Sequence, residues 1–167
     1  MLKYLFVPAL AVAFGGGMLA ARTHPAIQVA QAATTTPATG WTLHIDAQKH
    51  FGDAHPTEIA HHWCKPVQGG LTECQIYDSD APDARLVAVE TIVSPATYQS
   101  FSPTEQALWH YHKVEIPKVN ATLPDMTPEQ AAKTLAAITE TYGKVWLLWD
   151  PMSSANPVGA PTVVVLK

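Results

Sequence analysis

The run RLVAVETIVS, residues 85–94, constrains the fold more than any other stretch of this chain. It is β-branched and apolar at both parities, the pattern of a strand covered on both faces in the middle of a sheet. Yet Glu90 falls on the same side as Leu86, Ala88 and Ile92. A carboxylate inside a central strand costs several kcal/mol unless it is paired, neutralised or bound to a cation. A histidine partner or a metal would satisfy it, and either makes Glu90 a candidate base or ligand with a shifted pKa. The structural alternative is a bond to Arg85, a lysine or the backbone, or a strand edge that lets the carboxylate reach water.

The rest of the sheet follows from the same patterning. WTLHI predicts a strand with Trp41, Leu43 and Ile45 on one face. In IAHHWCKPVQGGLTECQIY, a hairpin centred on Gly69 sets Cys64 opposite Cys74. Two outcomes stay open for this pair: a disulfide, which an even cysteine count in an exported chain invites, or two small apolar thiols in a core. YDSDAPDA reads as a turn, and KVWLLW and PTVVVL as two further strands. Helices are predicted to start at Ser102 and Thr127, each with a hydroxyl cap, a proline in the first helical position, and Glu105 or Gln130 completing a capping box. The second is predicted to run through EQAAKTLAAITETY and stop at Gly143. Strands and helices do not alternate, so the predicted fold is α+β: a small single domain with a mainly antiparallel sheet and two or three helices.

Ahead of the domain, the apolar run LFVPALAVAFGGGMLAA after Lys3 reads as an export signal over residues 1–32, with cleavage expected after Ala32 and a site near Ala21 or a retained anchor as alternatives. The implied location is periplasmic or extracellular, with membrane contact only through this segment if it is kept. Residues 33–40 read as a linker and 41–167 as the domain. Both cysteines lie far from the signal, which excludes a lipid anchor on cysteine. Losing Lys3 and Arg22 makes the chain more acidic than its formal −4, which removes the electrostatic basis for nucleic-acid binding. No heptad or long amphipathic helix announces an oligomer.

The chemistry-bearing residues cluster in a few strings. In ALWHYHKVE, residues 107–115, a continuous helix would point His110 and His112 away from each other. If the helix instead ends near Trp109 and the chain extends, the two imidazoles share a face, and H-x-H-x-x-E becomes a ligand string suited to zinc, iron, copper or manganese. In AHHWC, His61 and His62 face opposite ways on a strand, so at most one serves any single site. His62 goes with Cys64, and His61 with solvent or another layer. Asp78, Asp80 and Asp83 in DSDAPD could hold calcium but lack the glycine and later glutamate of a calcium loop, so a side-chain-capped turn is the simpler account. No nucleophile elbow, phosphate loop or dinucleotide fingerprint is present.

AHHWC, QIYDSDAPDARLVAVETIVS, EQALWHYHKVEIP and TYGKVWLLWD, in this order, resemble the oil body-associated protein family, a domain of unknown function found in plants, fungi and bacteria. The resemblance runs from about Leu43 to Val165, nearly the whole domain. Its plant members are linked to seed lipid droplets, which implies a lipid connection, although an exported bacterial member has no oil body to coat. The family supplies no enzymatic activity to transfer. The resemblance carries over the polar residues His61, His62, Glu90, His110, His112 and Glu115, with Asp78, Asp80, Asp83 and Arg85 in the same motifs.

The resulting expectation is an exported domain with a polar pocket of His62, Glu90, His110 and His112 that binds a divalent transition metal or small ligand, with Glu90 or Glu115 as base. The competing expectation is a non-enzymatic envelope protein that binds a lipid or a protein partner, its histidines serving as structural hydrogen bonders.

Overall fold

The computed structural model describes residues 36–51 and 57–166, so the export segment and the first residues of the linker lie outside the described residues. One antiparallel sheet organises the domain. Its strands are β1 (Leu43–Gln48), β2 (Ile59–Pro66), β3 (Thr72–Tyr77), β4 (Leu86–Val93), β5 (His110–Tyr111), β6 (Tyr142–Leu147) and β7 (Thr162–Val164). They run in the order β1-β2-β3-β4-β6-β5, with β7 also paired to β6. β4 is therefore interior, as its two-sided apolar pattern requires. Val87 and Val93 on one face and Ala88 and Ile92 on the other are all buried.

The β2–β3 hairpin turns through Gly69 and Gly70, both at positive φ, where only glycine is unstrained. That turn sets the register Cys64↔Cys74, and the two cysteines form a disulfide across the strands. A bridge closing so short a loop contributes about 2–3 kcal/mol in the chain-entropy account.

Four short helices fill the connections: α1 (Pro95–Gln99), α2 (Pro103–Gln106), α3 (His112–Glu115) and α4 (Pro128–Thr139). α4 carries the full capping box at Thr127 and Gln130. Its Ala131, Leu135 and Ile138 pack on Ile45, Ile92 and the disulfide.

Three sequence expectations change. α4 ends at Thr139, and Gly143 lies inside β6 rather than stopping a helix. α2 keeps its Ser102 cap but not the reciprocal half of the box, because the Glu105 carboxylate goes to Lys144 and the Trp109 indole. α1 brings the helices among the described residues to four rather than two or three, and Ser94 followed by Pro95 carries the same cap-and-proline signal as the other two starts.

Candidate functional site

The helix begun at Ser102 is spent by Gln106, and the chain turns and becomes extended at His110 and Tyr111. Pairing of β5 with the start of β6, His110↔Gly143 and Tyr111↔Tyr142, holds this extended piece one strand away from β4, across Gly143. His110 and His112 then lie on one side. Their rings meet edge-on with centroids 4.9 Å apart, over the buried face that carries Glu90.

Both imidazoles reach the same oxygen. His110 Nε2 and His112 Nε2 each stand 3.3 Å from Glu90 Oε1, and all three residues are at least nine-tenths buried. Glu115 closes the cluster with Oε2 2.7 Å from His110 Nε2, and its other oxygen pairs with His50. Arg85, the alternative structural partner of Glu90, turns away to bridge Asp78.

The hydrogen bonds around the rings decide which nitrogens carry protons. His112 Nδ1 is 2.8 Å from the Thr141 hydroxyl, which donates its own hydrogen to the Ile138 carbonyl and so must accept from the ring. A neutral His112 therefore turns a bare Nε2 lone pair toward Glu90, a contact that is favourable only with a proton or a cation between them. His62 behaves similarly: its Nδ1 donates to the carbonyls of Ile45 and Ala60, leaving Nε2 unprotonated. His62 lines the same cavity but stands apart from the converging trio, whose ligand atoms lie within 4.8 Å of one another.

Gly143 supplies the room. Its backbone is not in the left-handed region, so conformation does not call for glycine there. A Cβ at this position would fall 2.5 Å from His110 Nε2 and closer still to Glu90 Oε1.

The charges lean on one another. Burial alone would raise the Glu90 pKa, but the hydrogen bonds and charges of His110 and His112 hold it well below the carboxylate range. Burial would likewise lower the His110 pKa, and the bonds to Glu115 and Glu90 override it, raising it from 6.5 to about 10. Glu115 goes the other way: its bonds to His110 and His50 outweigh burial and lower it from 4.5 to about 2. Burial lowers the His62 pKa.

These shifts set a pH profile for metal-free protein. Glu115 is depressed on folding, so its stabilisation is present above 4.5 and lost as pH falls toward 2. Neutral His62 also favours folding only above 6.5, which steepens the acid limb. His110 is raised, so its stabilisation is complete below 6.5 and lost as pH climbs toward 10. Urea unfolding in the presence of a chelator is expected to show greatest stability near neutrality, falling by about 2 kcal/mol between pH 5 and 3 and by a similar amount between pH 7 and 9. A flat profile from pH 3 to 9 would contradict the cluster.

The other sequence candidates lie elsewhere. Asp78 caps the turn through the Arg85 backbone N–H and guanidinium, and Asp83 is exposed. Asp80 instead reaches His61 on the opposite face of the sheet, where both meet His44 and Asp46, two residues the sequence reading did not single out. The signal for them was alternation: His44 and Asp46 share one face of β1, and the register Asp46↔His61 places them on the face of β2 that carries His61 and Trp63.

Fold and site together define an α+β domain of one antiparallel sheet with a buried histidine–glutamate cluster on one face. The chain belongs to DUF1264, a family of proteins of unknown function that matches residues 35–166. Among its relatives, oil body-associated protein 2B of Zea mays is 35% identical over 114 residues, 68% of this chain and 46% of that protein. Oil body-associated protein 2C of Arabidopsis thaliana is 34% identical over 115 residues, covering 68% and 48% of the two chains. Oil body-associated protein 1B of Arabidopsis thaliana is 31% identical over 124 residues, covering 73% and 52%. The chain thus spans about half the length of these relatives. No solved structure matches it.

Proposed function

We propose that this protein is an exported metal-binding domain that holds a divalent transition ion between Glu90, His110 and His112, with His62 lining the same cavity. The observation that carries this reading is the pair of 3.3 Å separations from the two Nε2 atoms to one carboxylate oxygen. Two ligands bound to one ion at about 2.0–2.1 Å and tetrahedral angles stand about 3.3–3.4 Å apart. Thr141 fixes the His112 tautomer that a ligand needs, the outer-shell arrangement usual for metal-bound histidine.

The cavity beside the trio favours an ion over a lipid. At ≈ 50 Å³ it has space for an ion with a few waters and none for an acyl chain. A groove of ≈ 490 Å³ lined by Trp109, Tyr111, Val114 and Val165 reaches His110 and Glu115 and supplies an entry path. An ion there would polarise a water or a small oxygen ligand, and Glu115, whose two oxygens pair with His110 and His50, would hold those imidazoles in place. The names of the plant relatives point to oil bodies, and a lipid-associated role would have to use this groove rather than the cavity. The disulfide supports export, since such bridges persist in oxidising compartments. Among the described residues no helix is long and apolar enough to cross a membrane.

The test is a Co²⁺ titration of the chelator-stripped full chain. Saturable uptake is expected to give the strong visible absorption of tetrahedral Co²⁺, and Glu90→Gln with His112→Gln is expected to abolish it. No such band in the wild type, or an unchanged band in the double variant, overturns the reading.

A further inference from the structure

The second polar cluster lies on the opposite face of the sheet, where β1 and β2 pair. His44 and Asp46 come from β1, His61 from β2, and Asp80 from the turn between β3 and β4. One nitrogen of each imidazole stands close to both carboxylates. His61 Nδ1 is 2.7 Å from Asp46 Oδ1 and 2.9 Å from Asp80 Oδ2, while His44 Nε2 is 3.1 Å from an oxygen of each.

Protons cannot account for all four contacts. A ring N–H points along one direction and serves one oxygen well. His61 Nδ1 is buried and in hydrogen-bond geometry with neither carboxylate, despite the two short separations. Two short separations without a hydrogen bond are what a cation shared between the nitrogen and the oxygens would produce. His44 adds an independent indication. Its other nitrogen, Nδ1, bonds Asp125 Oδ2 at 3.1 Å, the carboxylate–histidine pairing that leaves Nε2 free as a ligand. Its ring is held by stacking on Trp63 at 4.2 Å. A doubly protonated His44 would satisfy its own neighbours and still leave His61 Nδ1 without a bond.

We infer that His44, Asp46, His61 and Asp80 form a second divalent-cation site, separate from the buried Glu90 cluster and open to solvent on the side of Asp80. The 2.7–3.1 Å spacings are shorter than a tetrahedral edge and lie close to the about 2.8–3.1 Å edges of an octahedron with ligands at about 2.0–2.2 Å. Two imidazoles and two carboxylates in that geometry suit manganese or iron(II) ahead of zinc, with two positions left for water or an oxygen-donor ligand. The ion would tie the 78–84 turn to β1 and β2.

Mn²⁺ binding to the stripped full chain, followed by electron paramagnetic resonance of the free ion, tests this. The wild type is expected to take up Mn²⁺, and Asp80→Asn and His61→Gln each to weaken that uptake by at least about tenfold. Asp80 is 40% exposed, so its replacement leaves the core undisturbed. If the wild type binds no Mn²⁺, or if Asp80→Asn and His61→Gln both bind it as tightly as wild type, the site is refuted. If Glu90→Gln abolishes Mn²⁺ uptake while Asp80→Asn keeps it, the ion belongs to the Glu90 cluster alone, and this inference falls while the proposed function stands.

Discussion

Gly143→Ala is expected to destabilise the protein by about 3 kcal/mol and to lower its thermal midpoint by roughly 10 °C. Most glycine-to-alanine changes at ordinary strand dihedrals should be neutral or helpful, because alanine loses less backbone entropy on folding. Here the added methyl would stand inside contact distance of Glu90 Oε1 and 2.5 Å from His110 Nε2. Neither neighbour can yield freely. Glu90 is anchored in β4 between Cys74 and Val145, and His110 is the direct cross-strand partner of Gly143 itself. The change must therefore separate the carboxylate from its imidazoles or part β5 from β6. Thermal unfolding of the variant measures the cost, and the Co²⁺ titration shows whether the ligand geometry survives. A midpoint within about 2 °C of wild type would mean that the trio has slack at this point.

This glycine also marks where sequence patterning stops being informative. As a residue following a helical run, it carries the usual signature of a helix stop, and nothing local distinguishes that role from one of clearance in a strand. What decides is the partner across the sheet, a contact between positions 90 and 143 that no short-range pattern encodes. By contrast, the Gly69 hairpin and the Thr127 capping box are local and stand where turn chemistry places them, and the strands fall on the expected runs with shifted ends, β1 at Leu43–Gln48 rather than Trp41–Ile45 and β6 at Tyr142–Leu147 rather than over KVWLLW. The fate of His110 and His112 was legible as a fork rather than an outcome. Whether the helix continued past Trp109 depended on the pairing of β5 with β6, and that tertiary choice turned the histidines to one side. Glu90 stood out from sequence alone because a carboxylate in a two-sided apolar strand is costly wherever its partners lie. The second cluster was less visible. Asp80 and His61 sit in separate sequence motifs, and joining them to His44 and Asp46 requires the β1–β2 register and the path of the turn after β3.

Glu90→Ala is expected to cost about 4 kcal/mol, more than any other single change at the site. The loss is not a measure of what the carboxylate contributes to folding. Truncation leaves a void and strips His110 and His112 of the oxygen they share, so two buried imidazoles face each other edge-on with no charge between them. Removing all three polar groups is a different experiment. Glu90→Leu with His110→Leu and His112→Leu replaces the cluster with apolar volume next to Ile45, Ile92 and Val145, residues that already wall the cavity. Buried ionic groups exchanged as a set for hydrophobic ones are often neutral or stabilising. The triple variant is therefore expected to recover most of the stability lost in Glu90→Ala, leaving Glu115 to pair with His50, and to give no tetrahedral Co²⁺ band. Such recovery would mean that the trio is kept at the expense of stability, as expected of a ligand set. If the triple variant were as unstable as Glu90→Ala or worse, the histidines would be a structural joint between β5 and the sheet, and the reading of the site as a metal centre would lose its physical basis.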